Sequence, residues 1–113
     1  MKKDDSVYIR HILDAISNIE RSTRSLSKQV FMSNNDVKDA TLRRIEVIGE
    51  AVKNISEKTK SKHPNIEWKK IAGTRDVIIH SYFNVDWELV WDIVQKDIKE
   101  LKEKTILVLK DIG

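Results

Sequence analysis

Cysteine is absent from the 113 residues. That excludes a disulfide framework, a thiolate-ligated zinc and a thiol nucleophile, and it fits a reducing cytoplasm. Breakers are scarce, with three glycines and one proline. Few breakers argue for long helices with short connections, and a multi-stranded sheet would lack turn residues. Long apolar runs are missing too. The longest is Ile106 to Leu109, far short of the roughly 20 residues that span a bilayer. Polar residues follow Met-Lys-Lys-Asp-Asp at the start, where a secretory signal would place an apolar core. These features lead us to expect a cytoplasmic protein without membrane association.

Familiar chemical signatures are also lacking. His11, His63 and His80 lie far apart, and none has a helix-spaced histidine partner. No metal-binding motif is therefore expected. Gly49 and Gly73 are too distant from each other to form a phosphate loop or a dinucleotide fingerprint. No serine occupies a Gly-x-Ser-x-Gly elbow. Neither a metal nor a cofactor is expected.

What is present is a soluble composition, with 40% hydrophobic and 35% charged residues. It supports a folded chain rather than a disordered one. We expect residues 1–113 to form a single helical domain. The net charge of +3 hints only weakly at a polyanion partner. More telling is the crowding of Lys58, Lys60, Lys62, Lys69 and Lys70 ahead of Arg75, since grouped cations matter more than the sum. A solvated lysine-rich loop accounts for that cluster equally well.

Periodicity predicts four helical segments. In the first, about Asp5 to Arg24, Tyr8, Ile12, Ile16 and Ile19 form a stripe that Ile9 and Leu13 widen. Ser22 to Met32 reads as a mixed connection with room for another helical turn. The second runs from about Asp36 to Lys58, with Asn34, Asn35 and Asp36 as cap candidates. Its stripe is Thr41, Ile45, Ile48, Val52 and Ile55. Gly49 lies inside it, at a cost of about 1 kcal/mol against alanine, and suggests close approach of another backbone. The third runs from about Glu67 to Tyr82 with an interruption near Gly73. The fourth runs from about Trp87 to Lys110 behind an Asp86 cap, with Val90, Val94, Ile98, Leu101, Thr105 and Val108 as its stripe. Such a set packs most simply as an all-α antiparallel bundle of four to five helices. Trp68, Trp87 and Trp91 read as core or interface residues before base-stacking ones. Arg43 and Arg44 read as solvated cations before RNA contacts.

Reactive groups concentrate in Gly73-Thr74-Arg75-Asp76-Val77-Ile78-Ile79-His80-Ser81-Tyr82-Phe83. Arg75 carries a permanent charge on a planar fork suited to phosphate. Histidine titrates near the pH at which acid–base catalysts work. On one continuous helix Arg75 and His80 would stand roughly 140° apart. A site using both would then be easier to complete with another helix or a second subunit. Asp76 and His80, four apart, would share a face, so that Asp76 could orient the imidazole. A position near the helix C-terminus would stabilise an imidazolium there. Taken alone, an arginine and a histidine at a helix end are more often surface or capping residues than catalysts.

Arg75-x4-His80-x-Tyr82 is the Arg-x4-His-x-Tyr pattern of the HEPN superfamily, and the chain resembles its HepT-like toxin branch. The resemblance also rests on Ile48-Gly49-Glu50-Ala51, His63-Pro64-Asn65-Ile66-Glu67-Trp68, Ile71-Ala72-Gly73, Tyr82-Phe83-Asn84-Val85-Asp86 and Val90-Trp91. These stand in family order over about residues 5 to 101. It implies a homodimeric bundle in which two copies of the motif face each other across a cleft. It further implies a metal-independent RNA endonuclease in which the ribose 2′-hydroxyl attacks the neighbouring phosphate. His80 would move the proton and Arg75 would stabilise the phosphoryl charge. Lys69 and Lys70 are candidate RNA contacts, and tRNA and mRNA are candidate substrates. The implied partner is a small nucleotidyltransferase antitoxin that adenylylates Tyr82, adding bulk and negative charge beside the cleft. Asp76 stands where Asn is frequent in relatives, Ser81 where Asp is, and Asn84 where Gly is. None of these differences removes a proposed catalytic group. The alternatives are a non-catalytic helical subunit that helps a nucleotidyltransferase bind nucleotide or substrate, and a purely structural dimer.

Overall fold

The computed structural model describes residues 4–81 and 84–112. They are mostly helical, with α1 over Asp5–Thr23, α2 over Lys28–Ser33 and α3 over Asn35–Asn54. Three short helices follow, α4 over Glu57–Lys62, α5 over Trp68–Ala72 and α6 over Thr74–Ile78. Strands β1 (Ile79–Ser81) and β2 (Asn84–Val85) pair antiparallel. Then α7 (Trp87–Asp92) passes through a π-helical stretch, Ile93–Asp97, into α8 (Ile98–Ile112). No helix among the described residues is long and apolar enough to cross a membrane.

Apolar spacing explains the long helices. Ile9, Ile12, Ile16 and Ile19 are fully buried on one face of α1. The helix packs on α3 and α8, and Ile45, Ile48 and Val52 of α3 and Leu101 and Val108 of α8 are buried in the same core cluster. Polar contacts fix the relative direction of α1 and α3. Asp5 Oδ1 accepts from the Ser56 backbone N–H at 3.0 Å. Arg44 Nη1 donates to Asn18 O at 3.1 Å and to Ser22 Oγ at 3.0 Å. The start of α1 therefore meets the end of α3 and the later part of α1 meets its middle, so the two run antiparallel. Arg44, expected to be solvated, is instead a half-buried staple between them.

Four threonines are buried, and three of them return their hydroxyl to their own helix. Thr23 donates to Ile19 O at 2.7 Å, Thr41 to Val37 O at 2.7 Å and Thr105 to Leu101 O at 2.6 Å. A β-branched side chain can fill an apolar stripe in this way without stranding a buried donor. The expected caps hold at Asn34 and Asp86, whose side chains accept from the N–H groups of Val37 and Leu89. Trp68 is buried, with Nε1 donating to His63 O at 3.0 Å. Trp91 packs its ring 5.1 Å from that of Phe31, and Lys38 Nζ sits 4.8 Å over Trp87. All three indoles are thus engaged within the chain.

Two segments depart from the periodicity. The expected helix from Asp36 to Lys58 breaks at Ile55, which is extended and buried. Ser56 then caps α4, its side chain accepting from the Thr59 N–H. Asp5 holds this corner by accepting from the Ser56 N–H and hydroxyl and from the Thr59 hydroxyl. The expected helix from Glu67 to Tyr82 is interrupted at Gly73, as anticipated, but ends at Ile78. The β-branched run Val77-Ile78-Ile79 favours extended backbone. Ile79 pairs with Val85 and Ser81 with Asn84, with an irregular register between them. Ile78 O also accepts from the Asp86 N–H at 2.8 Å, closing the base of the hairpin.

Candidate active site at the α6–β1 junction

Gly49 brings the site together. A Cβ built there would lie 3.5 Å from both Ile71 O and Ala72 O. The end of α5 therefore rests directly on the α3 backbone, the close approach that an internal glycine suggested. Glu46 and Gly49 are three apart and share a face of α3. The chain leaving Ala72 consequently delivers the first turn of α6 beside Glu46. Arg75 Nε donates to Glu46 Oε2 at 3.0 Å. The Arg75 side chain is 56% exposed and that of Glu46 28%, so the pair has one foot in the protein and the other in solvent. Sequence reasoning missed Glu46. Its signal was its position one helical turn before the glycine that permits the contact.

Ile78, fully buried, anchors the junction. On either side of it Arg75 and His80 are both exposed. One helical span of three residues and two extended steps separate their Cα atoms by at most about 12 Å. Because α6 ends at Ile78, His80 lies on β1 rather than on the helix. The shared helical face expected for Asp76 and His80 does not exist, and the two make no hydrogen bond with each other among the described residues. His80 lies two residues beyond the end of α6 rather than in its last turn. Asp76 is exposed on α6. Tyr82, the expected modification site, lies outside the described residues.

Lys69 and Lys70 are exposed on α5. With Lys53, Lys60 and Trp68 they line an open groove of about 760 Å³. The groove is not uniformly basic. Lys70 lies 3.4 Å from Glu67 and Lys60 lies 3.8 Å from Glu57. The Lys70–Glu67 pair is exposed, and pairs of that kind contribute little stability, whereas the Lys60 side chain is only 17% exposed. A second cleft of about 290 Å³ lies among α3, α5 and the π-helical stretch, with Ile45, Ile71, Thr74 and Asp97 among its lining. On its rim the Lys104 ammonium beside Glu100 holds that carboxyl below the usual range. Among the described residues no three His, Asp or Glu side chains group as they would around a metal.

Arg75 and His80 are thus exposed on either side of the buried Ile78, and the lysine-lined groove reaches Ala72, three residues before Arg75. Residues 12–108 match the family described as ribonuclease HepT-like. The chain belongs to this family. It is 40% identical over 112 residues to a Methanocaldococcus jannaschii protein named "Gamma-glutamylcyclotransferase and putative RNase", covering 99% of this chain and 50% of that protein. The chain thus spans about half the length of that relative. Another M. jannaschii protein, named "Putative RNase", is 38% identical over 98% of this chain and 92% of its own length. A Thermococcus cleftensis protein named "Probable ribonuclease HepT" is 40% identical over 92% of this chain and 94% of its own length. No solved structure matches the chain.

Proposed function

We propose that this protein is a metal-independent RNA endonuclease whose site is built on Arg75 and His80. The observation that carries the reading is the exposure of both side chains at the α6–β1 junction of a HepT-like chain. The 2′-hydroxyl of the substrate attacks the adjacent phosphate and the 5′-oxygen leaves. His80 moves the proton between them. Arg75 stabilises the charge that builds on the phosphoryl oxygens. Lys69 and Lys70 lead the RNA backbone towards this point, and tRNA and mRNA are the substrates to try first.

One chain offers only one such pair on an open surface, so we infer that two chains form the working cleft. We further propose that the protein is the toxin of a toxin–antitoxin pair. Its antitoxin, a nucleotidyltransferase, would silence it by adenylylating Tyr82, two residues beyond His80.

The test is cleavage of total RNA and purified tRNA in excess EDTA, using protein whose mass shows unmodified Tyr82. Wild type should cut and His80→Ala should not. Equal cutting by both would remove His80 from the mechanism, and no cutting by wild type would remove the nuclease reading.

A further inference from the structure

The Arg75 guanidinium is gripped from one side. Nε donates to Glu46 Oε2 at 3.0 Å. Among the described residues neither Nη atom has a hydrogen-bond partner. We propose that Glu46 is a positioning residue for the ribonuclease reaction, an inference that rests on the nuclease reading above. Its carboxylate holds the inner edge of Arg75 so that both Nη groups face the scissile phosphate.

The need for such a brace follows from the elements involved. An arginine side chain has several rotatable bonds, and one more than half exposed is not fixed by packing. Helix α6 has only five residues and gives its first turn little rigidity of its own. Glu46 sits instead in the middle of the 20-residue α3, between Ile45 and Ile48, which are both buried. Its half-buried side chain springs from a helix anchored in the core, and Arg75 is bonded to its carboxylate. An arginine held through Nε keeps the outer fork intact for two parallel bonds to phosphate oxygens.

The charge of Glu46 makes the inference distinctive. A carboxylate beside Arg75 reduces the positive potential seen by RNA, so it should weaken ground-state binding. Its benefit must then lie in orientation, which appears in turnover. Removing Glu46 should lower kcat and leave affinity unchanged or slightly improved. A residue that merely supported the fold would lower both, together with the melting temperature.

The experiment compares wild type, Glu46→Gln, Glu46→Ala, Arg75→Ala and the Glu46→Ala/Arg75→Ala double variant. Cleavage kinetics are measured on one RNA oligonucleotide. Affinity is measured by fluorescence anisotropy on its 2′-O-methyl counterpart, which lacks the attacking hydroxyl. Misplacement by about 1 Å can cost on the order of 100-fold in rate. Glu46→Ala should therefore lose about 10- to 100-fold in kcat, with affinity within about twofold of wild type or tighter. Glu46→Gln, which retains an acceptor oxygen, should fall between wild type and alanine. In the Arg75→Ala background, Glu46→Ala should add less than about a twofold loss, because it acts through Arg75. Full activity of Glu46→Ala, or an equal loss in both backgrounds, or parallel losses of kcat, affinity and melting temperature, would overturn the proposal. An inactive wild type would fail the nuclease reading itself and this inference with it. An active wild type with an active Glu46→Ala would fail the inference alone.

Discussion

Gly49 offers a sharp test of how the site is assembled, because two substitutions there should move stability in opposite directions. The residue is interior to α3 and buried. Replacing glycine by alanine within a helix is favourable by about 1 kcal/mol. The added methyl would meet Ile71 O and Ala72 O at 3.5 Å, an ordinary van der Waals separation that demands no displacement. Gly49→Ala should therefore be neutral to stabilising, with a gain of up to about 1 kcal/mol. For a chain of this size that corresponds to a rise of up to roughly 4 °C in Tm. Gly49→Leu is different, because its outer carbons would have to enter the space held by the Ile71–Ala72 backbone. Overpacking of this kind costs about 1–3 kcal/mol, and relief requires α5 to lift away from α3. Lifting α5 carries α6 with it and separates Arg75 from Glu46.

Urea denaturation and RNA cleavage, measured on the same two variants, supply the assay. Gly49→Ala should keep both stability and activity. Gly49→Leu should lose stability, and its remaining folded fraction should cleave more slowly. A loss of more than about 1 kcal/mol in Gly49→Ala would refute the claim that the α3–α5 gap admits a methyl group. A fully active and stable Gly49→Leu would refute the claim that this gap sets the Arg75–Glu46 geometry.

Two further predictions concern the corner and the staple that hold α1 to α3. Burial alone would raise the Asp5 carboxyl, but hydrogen bonds from Ser56 and Thr59 outweigh it and lower the group below its ordinary 3.8. A depressed folded-state value contributes stability that is present above 3.8 and is lost as pH falls through the folded value. Asp5→Asn should therefore be less stable than wild type at pH 7, and the gap should close below pH 3.8 in denaturation curves across pH. Arg44→Met keeps the aliphatic stem and removes the two hydrogen bonds to Asn18 and Ser22. It should cost about 1–2 kcal/mol in urea denaturation; an unchanged midpoint would show the staple to be idle.

The long helices were legible because their burial is periodic. The apolar positions of α1, α3 and α8 coincide with buried residues almost one for one, and even Thr41 and Thr105 were placed correctly by spacing. The π-helical stretch is the exception. The stripe Val90, Val94, Ile98 advances by two successive steps of four, and Ile98 donates its N–H to Ile93 O, five residues back. Steps of four are also ordinary in an α-helix, so spacing alone could not reveal the wider turn.

The short elements were less legible, and the candidate site is made of them. Helices of five or six residues carry too few turns for a period to show, and their ends are set by distant partners. Asp5, 51 residues away in sequence, meets Ser56 at the break after Ile55. Pairing of Ile79 with Val85 turns His80 out of a helix that periodicity would have continued. The motif could be located by its residue types, whereas its geometry could not, because one-helix reasoning assigned Asp76 a face that His80 does not share. Glu46 shows the complementary lesson. Nothing local to Arg75 names its partner, yet Gly49 already signalled which stretch of α3 another backbone would touch. Read with the 3.6-residue period, that signal places the side chain three residues earlier against whatever follows Ala72. A buried glycine in a helix is thus informative about the charged residues one turn away from it, and here that residue is the one that meets Arg75.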